Sequence, residues 1–160
     1  MGVSGTGKTT VASKLAGRLG WPFEEGDSLH PQANVEKMKA GHPLTDKDRA
    51  PWLDAIAAWI DARLDAHENG VITSSALKRR YREMLNRRAG EVVFVFLSGT
   101  RETIAQRLAR RRDHFMPAAL LESQFHDLEP PAPDEPALTL DADAPADVIV
   151  AEVIDRLKLS

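Results

Sequence analysis

The stretch Gly2-Val3-Ser4-Gly5-Thr6-Gly7-Lys8-Thr9 constrains this chain more than any other. It fits G-x-x-x-x-G-K-[ST], the phosphate-binding P-loop. Glycines let the backbone turn tightly and aim successive N–H groups inward, which makes an anion nest. A helical pattern starts at once, so the positive end of a helix dipole faces the same point. Lys8 is placed to reach the β- and γ-phosphates, and the Thr9 hydroxyl to hold Mg²⁺. The plainer alternative is a glycine loop that only caps a helix.

A P-loop ordinarily follows a buried parallel strand, yet only Met1 precedes Gly2. The expectation is that the numbered chain lacks one strand, roughly 5–10 residues. Loss of a central strand leaves two neighbours with unpaired backbone groups. A version extended upstream is therefore expected to melt higher and turn over faster. Equal melting temperature and turnover would contradict this.

Past the loop, hydrophobic periodicity alternates between strand and helix. Val11, Leu15 and Leu19 share a helical face that Gly20 ends. Trp21 to Glu24 reads as a short strand, and Gln32 to Ala40 as a short helix. Thr45 opens a longer helix with Trp52, Ile56, Trp59, Ile60 and Leu64 inward. Val71 to Thr73 reads as a strand, Ala76 to Arg88 as a basic helix, and Val92 to Leu97 as a strand apolar on both faces. Helices follow over Thr100 to Arg112 and His114 to Leu128. A Pro-rich link, a strand over Ala137 to Asp141 and a helix over Pro145 to Leu157 complete the chain. The alternation predicts a single α/β domain over 1–160, with a mostly parallel sheet and helices on both faces.

In such a sheet, ligands bind beyond the carboxyl ends of the strands. That rule selects the P-loop, Glu25 to His30, Thr73 to Lys78, Ser98 to Arg101 and Asp141 to Pro145. Asp27 suits the task of orienting or deprotonating an attacking hydroxyl, and Glu25 suits Mg²⁺. His30 and His114 read as hydrogen-bonding partners of a polar substrate or lid. Two arginine-rich runs, 78–82 and 107–112, supply cations for an anionic substrate and a transferring phosphoryl group. Most of those charges are expected to be the wet faces of helices. Few aromatics fall near the site, which disfavours a nucleobase acceptor.

The chain has no cysteine, which excludes disulfides and thiolate metal sites. A net charge of -3 disfavours a general nucleic-acid binder. No apolar run reaches the length of a membrane span, so the expected location is the cytoplasm.

Further segments carry a specific resemblance. They are Gly26-Asp27-Ser28-Leu29-His30-Pro31, Asn34, Lys37-Met38, Pro43-Leu44, Asp48-Arg49, Pro51-Trp52-Leu53 and Ser75-Ala76-Leu77-Lys78-Arg79. With them go Tyr81-Arg82, His114-Phe115-Met116, Ser123-Gln124-Phe125 and Leu128-Glu129-Pro130. Together with the P-loop, these make nearly the whole chain resemble gluconokinase. The resemblance implies a three-layer P-loop kinase fold, related to shikimate and adenylate kinases, with a lid near 112–130. It implies ATP-dependent phosphorylation of D-gluconate to 6-phospho-D-gluconate, with Mg²⁺.

The resemblance also implies roles. Gly2, Ser4, Gly5, Thr6, Gly7, Lys8, Thr9 and Thr10 would form the phosphate site, with Arg107 and Pro145 flanking adenine. Asp27 would engage the acceptor hydroxyl. Arg49, Lys78 and Arg82 would hold the gluconate carboxylate and hydroxyls, with His30 and His114 nearby. Arg111 would stabilise the transferring group. A homodimer is implied, and neither nucleic acid nor membrane is expected as a partner. Two other readings share the P-loop: a kinase for another hydroxy acid such as shikimate, and a nucleotide-binding module without turnover.

Overall fold

Four short strands, paired in parallel, carry the described fold: β1 (Phe23–Glu24), β2 (Val71–Ile72), β3 (Phe94–Ser98) and β4 (Ala137–Asp141). The computed structural model describes residues 1–88, 90–111 and 118–160. β1 pairs with β2, and β3 with β4, so the strands form two separate ladders. Between them runs only the backbone of Met1 and Gly2. The Met1 amine donates to the Val95 carbonyl at 2.6 Å, and the Leu97 N–H donates to the Met1 carbonyl at 3.0 Å. On the other side, the Gly2 N–H donates to the Ser75 carbonyl at 3.2 Å. Below this contact the gap stays open as a cavity of about 410 Å³, lined by Val71, Ile72, Val95, Leu97, Trp59 and Leu15 among others. Met1 and Gly2 thus bridge the two ladders at the end nearest the P-loop.

Among the described residues, seven helices pack with these strands: α1 (Lys8–Leu19), α2 (Gln32–Lys39), α3 (Asp46–Asp65), α4 (Arg79–Leu85), α5 (Arg101–Arg110), α6 (Ala118–Asp127) and α7 (Ala146–Leu157). Val11 and Leu15 of α1 meet Leu138 and Leu140 of β4 and Ile149, Val150 and Val153 of α7 in one core. Trp52, Leu53 and Ile56 of α3 meet Tyr81 and Leu85 of α4 and Phe94 of β3 in the other. Each buried Leu, Ile or Phe contributes roughly 1.5–3 kcal/mol. These two clusters are what hold helices on both sides of short strands. A third cluster, Val3, Leu77, Ile104, Leu108 and Leu121, seats α5 and α6 beside the P-loop.

The start of α3 is fixed with unusual redundancy. Thr45 and Asp48 form a reciprocal capping box. The Lys37 ammonium donates to Asp48 at 2.6 Å, and Asn34 Nδ2 donates to the Asp48 carbonyl at 2.8 Å. The Lys37 ammonium, with the Thr45 N–H, holds the Asp48 carboxyl well below its usual range, at about 2. Arg49, the next residue, is thereby aimed inward from a rigid first turn.

Two expectations need correction. The helix expected over 76–88 is confined to Arg79–Leu85. Ala76 is fully buried at φ 45 and Lys78 is extended, because Leu77 enters the third core. Tertiary packing here overrides helix propensity. The strand expected at Val92 starts at Phe94, and Val93 lies exposed. Among the described residues, no helix is long and apolar enough to cross a membrane.

Candidate active site

The P-loop closes onto α1 through Gly7, which sits at φ 90, a conformation that L side chains resist. The Lys8 ammonium turns back over the loop and donates to the Gly2 and Val3 carbonyls, both at 3.0 Å. Burial pushes its pKa down; the charges of Asp27 and Glu25 push it up and that of Arg111 pushes it down. The ammonium is therefore a desolvated charge, within electrostatic reach of both acids. Such a charge acts more strongly on a phosphate than a hydrated one does.

Glu25 ends the strand-like run after β1. The Thr9 hydroxyl donates to its Oε2 at 2.6 Å, and the Thr73 hydroxyl donates to its Oε1. Gly26 follows, with its N–H on Thr73 Oγ1 at 3.0 Å and its carbonyl held by Trp52 Nε1 at 2.8 Å. A Cβ on Gly26 would lie 1.8 Å from the Thr73 carbonyl oxygen, so only glycine fits. This clamp starts the short 3-10 turn Gly26–Leu29, which leaves Asp27 exposed and within electrostatic reach of Lys8.

His30 caps that turn and stacks on Trp52, with ring centroids 4.2 Å apart and planes 13° from parallel. Burial lowers its pKa, Asp27 raises it and Arg49 lowers it. The net direction is down, so His30 is neutral at pH 7 and works as a hydrogen-bonding ring. Arg49 is nearly buried, and its Nη1 donates to the Tyr81 hydroxyl at 2.9 Å and to Asp127 Oδ2 at 3.2 Å. The Lys78 ammonium lies 5.7 Å from the Tyr81 ring centroid and the Arg49 guanidinium 5.4 Å, so both cations border one aromatic ring. Lys78 also pairs with Asp46 at 3.2 Å. Arg107 reaches from α5 to the Gly5 carbonyl at 3.4 Å and the Ala142 carbonyl at 2.8 Å. It thus joins the P-loop to the turn that ends at Pro145, the N-cap of α7.

A family profile described as an AAA domain matches residues 1–131. A gluconokinase of Gluconobacter oxydans is 53% identical over 154 residues, covering 96% of this chain and 86% of the relative. The chain belongs to the gluconokinase family. Among solved structures, a gluconokinase from Sinorhizobium meliloti superposes with a TM-score of 0.84 at 41% identity, covering 99% of this chain and 93% of that one. An unliganded sugar kinase from Janibacter gives a TM-score of 0.94 at 44% identity, with coverage of 100% and 92%. The P-loop kinase fold expected from the sequence is the fold observed.

With the gluconokinase family established, the site residues sort by position. The loop residues with Lys8, Thr9, Glu25 and Asp27 come together, as do Arg49 and Lys78 around Tyr81, with His30 on Trp52 within electrostatic reach of Arg49. Thr6 is buried under the loop, its hydroxyl donating to the Val3 carbonyl at 3.1 Å, while Thr10 lies exposed on α1. Arg111 stands exposed just past α5, within electrostatic reach of Lys8. His114, the rest of the His114-Phe115-Met116 run, and positions 112–117 of the expected lid lie outside the described residues.

Arg82 is a correction. Its Nε and Nη2 donate to Glu135 at 2.6 and 3.1 Å, and its remaining donors to the Ala76, Leu77 and Glu129 carbonyls. Both partners are buried, so Arg82 has no donor left for a substrate and instead ties α4 to the Pro-rich link. Breaking a buried pair on one side costs about 3–5 kcal/mol. Arg82→Leu is therefore expected to lower the melting temperature by roughly 10 °C, as read by thermal denaturation, with gluconate KM unchanged. A stable variant with a raised KM would contradict this placement.

The expectation of few aromatics is also corrected, since Trp52 underlies His30 and Tyr81 borders Arg49 and Lys78. Arg79 and Arg80 of the first basic run are surface pairs, Arg79 with Asp134 and Glu83, Arg80 with Asp46. Sequence reasoning missed Tyr81, Gln124 and Asp127. All three fall within or beside the resembling segments, but their partners are far away in the chain.

Proposed function

We propose that this chain transfers the terminal phosphoryl group of ATP to the 6-hydroxyl of D-gluconate, releasing 6-phospho-D-gluconate and ADP, with the residue roles that follow. The chain is a gluconokinase by family. The observation that supports the roles is the 2.6 Å hydrogen bond from Thr9, next to Lys8, to Glu25, which sets the acidic turn of Glu25 and Asp27 beside the P-loop. Loop N–H groups and the Lys8 ammonium hold the polyphosphate. The Asp27 carboxylate accepts the proton of the 6-hydroxyl as its oxygen attacks phosphorus, and the bond to the β–γ bridging oxygen breaks. Arg111 offsets charge on the transferring oxygens. Arg49 and Lys78 hold the sugar-acid carboxylate and His30 a hydroxyl, while Arg107 and Pro145 flank adenine.

Mg²⁺ fits the residues present: the Thr9 hydroxyl and Glu25 carboxylate converge at 2.6 Å and are hard oxygen donors. When bound, the ion neutralises charge on the β- and γ-phosphates. The proposed setting is a cytoplasmic homodimer that acts on a small molecule.

The test is ADP release coupled to oxidation of a reporter, measured across D-gluconate, other sugar acids and shikimate, with ATP and Mg²⁺. Gluconate is expected to be preferred by at least ~100-fold in kcat/KM, since a pocket built to pair a substrate's polar groups rejects analogues lacking them. Equal or better turnover of shikimate, or ATP binding with no acceptor-dependent ADP release, would contradict the reading.

A further inference from the structure

Helix α6 touches both halves of the site through two side chains one turn apart. Residues three apart on a helix share a face. Gln124 meets the P-loop: the Ser4 N–H donates to its Oε1 at 2.7 Å, and its Nε2 donates to Ser4 Oγ at 3.2 Å. Asp127 meets the acceptor pocket, accepting from Arg49 Nη1 at 3.2 Å. Between and beside them, Leu121 is buried against Val3, Ile104 and Leu108, with Phe125 and Leu128 packed on the same cluster. The end of the helix is tied down as well. The Glu129 N–H donates to the Leu77 carbonyl at 2.8 Å, and the Glu129 carboxylate accepts from the Arg79 N–H at 3.0 Å.

The chemistry at each end is suited to sensing a ligand. Ser4 N–H is a backbone donor of the phosphate loop, and the neutral amide oxygen of Gln124 accepts from it. A polyphosphate held by the loop would set its charge beside the backbone that Gln124 bonds. At the other end, Asp127 and the Tyr81 hydroxyl both use Nη1 of Arg49. Among the described residues, the Nε–Nη2 edge of that guanidinium has no recorded partner. That is the edge a carboxylate takes in a bidentate pair. Asp127 thus fixes one side of Arg49 while the other is presented to the acceptor.

We propose that Gln124 and Asp127 are positioning residues that make α6 the link between the nucleotide and sugar-acid sites, so that each ligand tightens the other. The inference rests on gluconate being the acceptor. It adds a coupling free energy between two sites, which by linkage must be equal in both directions.

The experiment is calorimetric titration of D-gluconate into the full chain, with and without Mg²⁺ and a non-hydrolysable ATP analogue. The wild-type chain is expected to bind gluconate at least ~5-fold tighter with the analogue present. The analogue should tighten by the same factor with gluconate present. In Gln124→Met, which keeps the helix packing, and in Gln124→Ala, the factor should fall below ~2-fold. In Asp127→Asn the gluconate Kd should rise about tenfold, and the coupling should fall as well. A merely structural role would change both affinities without changing their ratio. Wild-type coupling retained in both Gln124 variants, or no coupling in a chain that turns gluconate over, overturns the inference alone. No gluconate turnover at all overturns the substrate reading, and this proposal with it.

Discussion

Lys8→Ala is expected to cut turnover by at least ~10³-fold while leaving the fold intact. Loss of a single donor to transition-state charge typically costs 10²–10³-fold, and Lys8 supplies a full charge at the place where charge moves. Its ammonium is held by two carbonyls of its own loop, and burial lowers its pKa. Folding therefore works against desolvation to keep that charge in place. Removing it should leave the melting temperature unchanged or raise it, as sites that sacrifice stability for activity commonly do. Steady-state kinetics and thermal denaturation of the same sample check both halves. A variant that loses stability and keeps its rate would mean that Lys8 is a structural cation.

Asp27→Asn is expected to lower kcat by about 10²–10⁴-fold, the range attributed to general-base assistance, with nucleotide affinity nearly unchanged. The substitution keeps the shape of the 3-10 turn, whose geometry depends on the backbone bonds of Gly26 rather than on the Asp27 side chain. It also removes the charge that raises the pKa values of Lys8 and His30. Both groups should then titrate lower still, and His30 stays neutral through the physiological range. Because the folded-state pKa of His30 already lies below its unfolded value, acid costs stability through this group. Its contribution is present at neutral pH and is lost as pH falls below about 6.5. Retention of most of the rate in Asp27→Asn would remove Asp27 from the proton transfer.

The local features of this fold were legible in the sequence for local reasons. The P-loop, the Thr45 helix entry and the β3 run are each specified by residues a few positions apart, and each stands where its pattern put it, β3 shifted by two residues at its start. The α4 boundary was not legible, because Ala76 and Leu77 are pulled into cores built by residues distant in the chain. Arg82 shows the same limit. The resemblance implied a substrate cation, and only Glu135, 53 residues on, reveals a buried structural pair. Gln124 lies 120 residues from Ser4, and Asp127 lies 78 from Arg49. No spacing rule connects such positions, so although a helix was expected over His114 to Leu128, its bonds to Ser4 and Arg49 came only from the folded chain. That Met1 would bond to β3, with Gly2 bonding beside β2, was not legible either.

The central claim is that a glycine-lined loop grips polyphosphate while Asp27 readies a sugar-acid alcohol for attack. Phosphorus NMR of the chain with ATP, Mg²⁺ and D-gluconate tests it most directly. The account predicts one new phosphate-ester signal, coupled to a methylene, growing in step with ADP and suppressed in Asp27→Asn. Inorganic phosphate as the product, or an ester signal undiminished in that variant, would contradict it.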